Sequence, residues 1–494
     1  MKRAALSFSL STTIALLVLA AGCTVGPRYS RPAAPAPAPD AWKSQPPWQE
    51  AAPKDSIPKG TWWQIFHDPA LDAYEQQLLQ ANQSLFAARD RLSQARSLAR
   101  VATADLFPQV STDPSAARER YSGNRPLIVS QPASAVTENL FTIPFSLNYE
   151  ADLFGRVRHN VEAANASLQS TAADLQNVQL VLTAELAADY FTVRELDAEY
   201  QVVQESVGYE RKGLDLVNNR HEGGVANGLE VAQQATVLDS TISQLSLVQQ
   251  TRAQYEHAIA VLVGQPASAF SVPVAPLRDA PPPVPLGVPS DVLERRPDIA
   301  TAERTMAYQN AQVGIARSAF YPHVTLSGSG GLLSQDLGSL FNAPSLIWSV
   351  GADAFEPIFQ GGRNRANLSA ARAAYDQSVA NYRQSVLTAF QQVEDGISNL
   401  STLSQALTTQ SAAVEDARRA LTIANNRYVG GVTTYLDVIT AQTTLLNSQR
   451  LATQLLGQQM VSAVYLVKAL GGGWDAGEIN HEQVHPQAGQ ILQQ

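Results

Sequence analysis

The chain has 494 residues, 45% of them hydrophobic and 16% charged, with a formal net charge of −9. That much apolar material can offset chain entropy, so wholesale disorder is excluded. The acidic balance, with no basic stripe interleaved with aromatics, argues against nucleic acid as a partner. It would suit a wall that tolerates cations, without establishing a pore.

Lys2 and Arg3 precede an apolar stretch that runs to Ala21, and Gly22 and Cys23 close it. This is the layout of a cleavable secretory signal. Leu19-Ala20-Ala21-Gly22-Cys23 resembles a bacterial lipoprotein signal, in which the thiol is lipidated and becomes residue one after cleavage. Ala20 departs from the Leu usual there, and the bland alternative is an ordinary signal peptide with an incidental cysteine. By the same resemblance, Thr24 in place of Asp favours the outer membrane. The covalent lipid on Cys23 is the one non-protein group expected, with no cofactor or metal. A single acyl anchor is reversible, so stable binding requires further membrane contacts. Cys23 is the sole cysteine, so no intrachain disulfide forms despite the oxidising compartment. No later stretch has 18 consecutive apolar residues, so any membrane crossing requires a closed barrel.

Five segments are expected: a signal peptide over 1–22, a Pro/Ala-rich tether over 23–61, a first repeat over 62–285, a second over 286–473, and a polar tail over 474–494. The repeats rest on an offset of about 207 residues. Asn219-Arg220-His221-Glu222-Gly223-Gly224-Val225 matches Asn426-Arg427-Tyr428-Val429-Gly430-Gly431-Val432, and Leu229-Glu230-Val231 matches Leu436-Asp437-Val438. Leu106-Phe107-Pro108-Gln109-Val110 echoes Phe320-Tyr321-Pro322-His323-Val324 at a similar distance.

Within the first repeat, strands are expected near 108–121 and 139–154, then a coiled hairpin over 155–264. Pro114 and Arg118-Glu119-Arg120 disturb the first strand. Ile143, Phe145, Leu147, Tyr149, Ala151 and Leu153 alternate with mainly polar residues, the pattern of a strand with one greasy and one wet face. No proline interrupts Gly155 to Glu222, and a helix that long reaches roughly 100 Å. In the second repeat, strands are expected near 322–333 and 345–358, and a coiled hairpin over 362–470. Val379, Val386, Val393, Leu400, Leu407, Val414, Leu421 and Tyr428 stand seven apart, a repeat that means helices supercoiled against neighbours. Gly-Gly at 223–224 and at 430–431 permits the chain reversal.

The fold class is thus mainly α with a membrane β-barrel portion, built on a duplicated helix–β-hairpin–helix unit. Four strands cannot close a membrane barrel, so the barrel must be shared between chains. The alternative is a soluble antiparallel sheet with one buried face, which periodicity does not exclude.

Cys23-Thr24-Val25-Gly26-Pro27-Arg28-Tyr29, Trp62-Trp63 with Phe66-His67-Asp68-Pro69, and Pro289-Ser290-Asp291-Val292-Leu293-Glu294-Arg295-Arg296-Pro297-Asp298-Ile299 carry a family resemblance. The chain resembles the TolC-like outer-membrane factors of tripartite efflux pumps, in their NodT/OprM lipoprotein branch, over essentially all of its mature length. The resemblance implies a homotrimer with a twelve-stranded barrel continuous with a twelve-helix periplasmic α-barrel, belted midway by mixed α/β structure. It also implies a periplasmic adaptor and an inner-membrane pump of RND type, and an exit duct for small molecules. The rival is a periplasm-spanning tether that transports nothing.

No Walker loop, nucleophile elbow or zinc spacing is present, so no enzyme activity is expected. His481 and His485, four apart in the polar tail, are read as solvated rather than metal-binding. The resemblance makes Asp437, with Tyr428, a candidate periplasmic gate, with Thr440 where another acid can stand. An acid near a helix N-terminus is also favoured by the macrodipole, so Asp437 equally suits a helix-start role. Tyr428 equally suits a packed core position. Gly223, Gly224, Val225, Glu230, Gly430, Gly431 and Val432 form the tips expected to meet the adaptor. Arg295, Arg296 and Asp298 are read as architectural.

Overall fold

A computed structural model of the chain describes residues 24–32, 61–124, 135–284 and 296–472. The signal peptide, Cys23, most of the tether, Arg295, and His481 with His485 lie outside the described residues.

Two tandem units share an order of helix, strands, long helix and returning helix, the first with an extra short helix and a divided first strand. The first has a short helix α1 (Pro69–Ala81) and then α2 (Gln83–Ala104). Strands β1 (Gln109–Thr112), β2 (Ser115–Tyr121) and β3 (Val136–Ala151) follow, then α3 (Arg156–Glu222) and the returning α4 (Gly228–Leu262). The second has α5 (Pro297–Ser318), β4 (His323–Ser334), β5 (Leu346–Phe355), α6 (Arg363–Val429) and α7 (Tyr435–Ala469). Equivalent helices have equal lengths: α2 and α5 have 22 residues, α3 and α6 have 67, and α4 and α7 have 35. At 1.5 Å per residue the long helices are about 100 Å long. They run unbroken through Gly213 and Gly396. No described helix is long and apolar enough to cross a membrane.

The heptad stripe explains the coiling. Val386, Val393, Leu400 and Tyr428 are buried, and Val379, Leu407, Val414 and Leu421 are half-buried, so the stripe faces neighbours along the whole of α6. Helices pack four abreast on each side of mid-length. Towards the sheet the order is α2, α3, α5, α6; away from it the order is α4, α3, α7, α6. The main core lies at the middle of the long helices, where Trp62, Trp63, Tyr190, Val193, Tyr382, Val393 and Val464 pack together. The indole of Trp62 donates to Thr183 Oγ1 at 3.1 Å, and the Tyr190 hydroxyl donates to Asp68 Oδ2 at 2.6 Å. This belt differs from the mixed α/β expectation, because among its described residues no strand forms. Its outer segment carries Pro273, Pro276, Pro281, Pro282 and Pro283, which cannot donate to a ladder.

The sheet is four strands wide, because β1 and β2 both pair with β3, followed by β4 and β5. This corrects the expected single strand near 108–121. Asp113-Pro114 interrupts it, since Pro lacks the ladder donor, and pairing with β3 resumes at Ser115. The β3–β4 ladder joins the two repeats, from Phe141↔Ser334 to Ala151↔Val324. Register sorts the faces. Phe145, Gly330 and Trp348 stand opposite one another, as do Leu147, Gly328 and Val350, giving one apolar face. Ser146, Ser329 and Ser349 form a row on the other face, which is polar. No described residue covers the apolar face: Trp348 is 76% exposed and Val350 82%. A soluble sheet would bury such residues, so the uncovered face fits contact with lipid.

Residues 24–32 leave the sheet–helix junction and run along the helices. Val25 N–H donates to Phe154 O at 3.2 Å, the Tyr29 hydroxyl to Glu303 Oε1 at 2.8 Å, and Arg31 Nε to Tyr382 Oη at 3.3 Å. Arg296 has an architectural role. Its Nε and Nη2 donate to both oxygens of Asp298. Its Nη1 reaches Gln392 Oε1 at 2.9 Å and the helix-end carbonyl of Ala469 at 3.0 Å. One buried guanidinium therefore ties α5 to α6 and α7. Arg296→Ala is expected to cost about 1–3 kcal/mol, the penalty for stranding buried partners, and to lower the thermal unfolding midpoint. An unchanged midpoint would show that these contacts are redundant.

Candidate functional site

The two hairpin tips lie at the ends of the long helices away from the sheet, and both reverse by the same backbone device. Gly431 N–H donates to Tyr428 O at 3.0 Å and Val432 N–H to Arg427 O at 2.9 Å. Gly224 N–H donates to His221 O at 2.9 Å and Val225 N–H to Arg220 O at 2.8 Å. This is the paired closure of a Schellman motif, whose pivot residue is left-handed. The pivots are Gly224 at φ +74° and Gly431 at φ +69°. Gly223 and Gly430, at φ −77° and −76°, do not require glycine for their dihedrals. Val225 and Val432 project at the apices, 69% and 68% exposed.

Below the apices a small core joins the two hairpins. Val217 of α3, Tyr428 of α6, and Tyr435, Val438 and Ile439 of α7 are buried together. The rings of Tyr428 and Tyr435 lie 4.8 Å apart, and the Arg220 guanidinium lies 4.7 Å over the Tyr428 ring. The Tyr428 hydroxyl donates to Glu230 Oε2 at 2.8 Å, from the second repeat to the first. Burial, reinforced by the Glu230 carboxylate, pushes the Tyr428 phenol up to about 12, so it stays a proton donor at any physiological pH. Of its two expected roles, the structure gives Tyr428 the packed core position, with its hydroxyl linking the two repeats. Glu230, expected to face a partner, directs its carboxylate to that link.

Asp437 lies apart from this core. On the first turns of α7, Tyr435, Val438 and Ile439 are buried, whereas Leu436, Asp437 and Thr440 are exposed. The Asp437 carboxylate accepts from the Thr433 hydroxyl. Glu230 and Asp437 occupy equivalent third positions of their helices, yet one reaches across the hairpins and the other stays local. The copies differ for a readable reason. Tyr428 and Tyr435 stand where the first repeat has His221 and Gly228, and the His221 ring bonds to Ala226 O within its own turn at 2.8 Å.

Arg220 and Tyr435 escaped the sequence reading. The offset of about 207 residues places Tyr435 opposite Gly228, and that large-for-small mismatch was the available signal. Among the described residues no group of His, Cys, Asp and Glu could hold a metal ion. Gly431→Ala and Gly224→Ala are each expected to cost about 1–2 kcal/mol for forcing a Cβ into the left-handed region. Gly430→Ala should cost far less. Hydrogen exchange of the tip amides reads the difference, and equal protection loss at 430 and 431 would contradict the assignment.

Known proteins place this architecture. The family model described as "Outer membrane efflux protein" matches residues 75–265 and 288–472, one stretch per repeat. The toluene efflux pump outer membrane protein TtgC of Pseudomonas putida is 33% identical over 481 residues, covering 96% of this chain and 97% of the relative. The pyoverdine export outer membrane protein OpmQ of Pseudomonas aeruginosa is 33% identical over 465 residues, covering 93% and 96%. The solved outer-membrane channel OprN superposes with a TM-score of 0.84 at 29% identity, over 92% of this chain and 100% of that one. With both repeats matched and full-length relatives at this identity, the chain belongs to the outer membrane efflux protein family, the TolC-like channels of efflux pumps.

Proposed function

We propose that the chain works as a homotrimeric exit duct of a tripartite efflux system, gated at its periplasmic tips and passing small molecules to the exterior without energising their transport. The observation that carries this is the open-edged amphipathic sheet continuous with helices about 100 Å long. Among the described residues β1/β2 and β5 stand as unpaired edges, and backbone edges cannot stay open in hydrocarbon. Two chains would close eight strands, a barrel whose interior side chains fill. Three chains close twelve, enough for a water-filled lumen lined by the Ser146, Ser329 and Ser349 row, above twelve long and returning helices.

Lipidation at Cys23 fits this placement. Val25 is held at Phe154, where the sheet meets the helices, so this part of the N-terminal segment lies at the sheet–helix junction. A periplasmic adaptor meets the tips at Val225 and Val432, where Gly223, Gly224, Gly430 and Gly431 keep the surface small enough for close packing. An inner-membrane pump, of RND type, supplies the cargo. Relatives named for toluene and for pyoverdine share this scaffold, which supports a duct that leaves the choice of cargo to its partners.

The gate has two elements. Three copies of Asp437 around the axis narrow the aperture with negative charge. The Tyr428–Glu230 bond holds one hairpin to the other within each chain. Planar-bilayer recordings test both. Asp437→Ala is expected to raise conductance, and no change would return that residue to a helix-start role. Tyr428→Phe is expected to shift the opening equilibrium about fivefold, from the loss of about 1 kcal/mol per link. A transport-free tether would give no conductance with wild type or either variant. A mass measurement in mild detergent showing only monomer would remove the trimer.

A further inference from the structure

Away from the sheet, the main contact between the repeats is the seam of α3 against α7. It is the surface that any parting of the two hairpins must disturb. The α3–α4 seam inside the first hairpin carries a buried acid with its own cation, Asp197 on Arg252; the α3–α7 seam includes Glu195 and Glu199, buried one turn apart on α3. Glu199 is fully served. Arg450 of α7 donates to its Oε1 through Nε at 2.7 Å and Nη2 at 2.6 Å, and the Gln454 amide lies 3.5 Å away. The remaining arm of Arg450 is turned to Gln244 Oε1 at 3.0 Å.

Glu195 has no cation of its own. Its stem rests on bare backbone at Gly457, where a Cβ would stand 2.3 Å from Glu195 Cγ. Its Oε1 is buried without a hydrogen-bond partner among the described residues. Two cavities, of about 560 and 360 Å³, flank it and share Thr192, Glu195 and Gln454 as walls. They bring space for water to both sides of the seam. The titratable neighbours are Glu199 on α3, Arg450 and Tyr465 on α7, and Tyr255 on α4, with Asp189 and Glu185 higher on α3. The stretch of α6 that borders the site offers Asn399, Thr402 and Leu403, none titratable.

One guanidinium therefore stands against two buried carboxyl groups. With a proton on Glu195 the cluster is neutral; without it, a buried negative charge is left uncompensated. We propose that Glu195, Glu199 and Arg450 form a proton-linked lock on the α3–α7 seam, closed while Glu195 holds its proton and loosened when it ionises. Parting the seam lets water from the flanking cavities solvate the carboxylate, and one proton leaves per lock opened. This rests on the reading of the chain as a conducting duct.

The direction of the pH effect follows. Burial, then Glu199, pushes the Glu195 carboxyl up to about 8 in the closed seam, against about 4.3 for a solvated glutamate. Below the solvated value both states are protonated and the lock is at full strength. Between the two values opening releases a proton, so the closed state is progressively lost as pH rises, and above about 8 the effect levels off. The opening equilibrium should rise by up to about tenfold per pH unit per lock across that window.

Two measurements on the full-length protein decide it. In planar bilayers, wild-type open probability is expected to climb between about pH 5.5 and 8, and Glu195→Gln, a neutral isostere, should flatten that climb while remaining assembled. Asp189, pushed up to about 6 by burial and Glu185, titrates nearby, so the Glu195-dependent part of the slope is the quantity read. A slope unchanged in Glu195→Gln overturns the lock, as does a flat wild-type profile in channels that conduct. Infrared titration in detergent follows a protonated carboxyl band that persists to about pH 8 and is missing from Glu195→Gln; a band that titrates near 4–5 also overturns it. If no variant conducts at any pH, the duct reading fails, and the infrared result alone decides whether the carboxyl holds its proton.

Discussion

A backbone N–H or C=O left unpaired in hydrocarbon costs several kcal/mol, and that constraint governs this molecule. Its sheet carries an apolar face that nothing described covers and two edges that no described residue pairs. Each defect is prohibitive alone, and assembly in a membrane cures both. In the proposed trimer the four-strand width would be a third of a wall, and the four helices abreast at each level a third of a tube. The duplication gives a chain that bends the same way twice, as a closed ring of such units requires.

Duplication alone would give six equivalent tips in a trimer. The structure breaks that equivalence with few residues. Tyr428 and Tyr435 in the second copy replace His221 and Gly228 in the first, and they fill the space between the hairpins. The first copy supplies the acceptor Glu230 and the cation Arg220, which caps the Tyr428 ring. Two copies of one hairpin become a donor and an acceptor. In the proposed trimer an aperture lined by alternating unlike tips could move one set against the other, which a ring of identical tips fixed at both seams could not do without breaking every contact at once.

Apolar heptads run through each hairpin, and packing of that kind is indifferent to pH. Buried ionisable groups occur both within the first hairpin, where Asp197 of α3 pairs with Arg252 of α4 and Glu210 accepts from Thr241 and Ser206, and between the hairpins, where Glu195 and Glu199 face Arg450. The difference lies in pairing: Asp197 has a cation inside its hairpin, whereas Glu195 at the seam between hairpins has an oxygen without a partner among the described residues.

The sequence by itself determined the repeat, the ends of the long coiled helices to within a residue and the two-faced strands of 143–153 and 346–354, because these follow from local periods: two for a pleat, seven for a supercoil, and a glycine where φ must turn positive. It marked Gly223, Gly224, Gly430 and Gly431 as turns but could not say which of each pair carries the strain. It flagged Pro114 without showing that the strand would resume beyond it. It put Glu230 on a tip, yet could not see that its carboxylate meets Tyr428 from the other repeat. Those matters were decided by tertiary structure. Contacts between residues about 200 positions apart depend on how two separately periodic hairpins dock, and period alone fixes the face a residue occupies without naming what it faces.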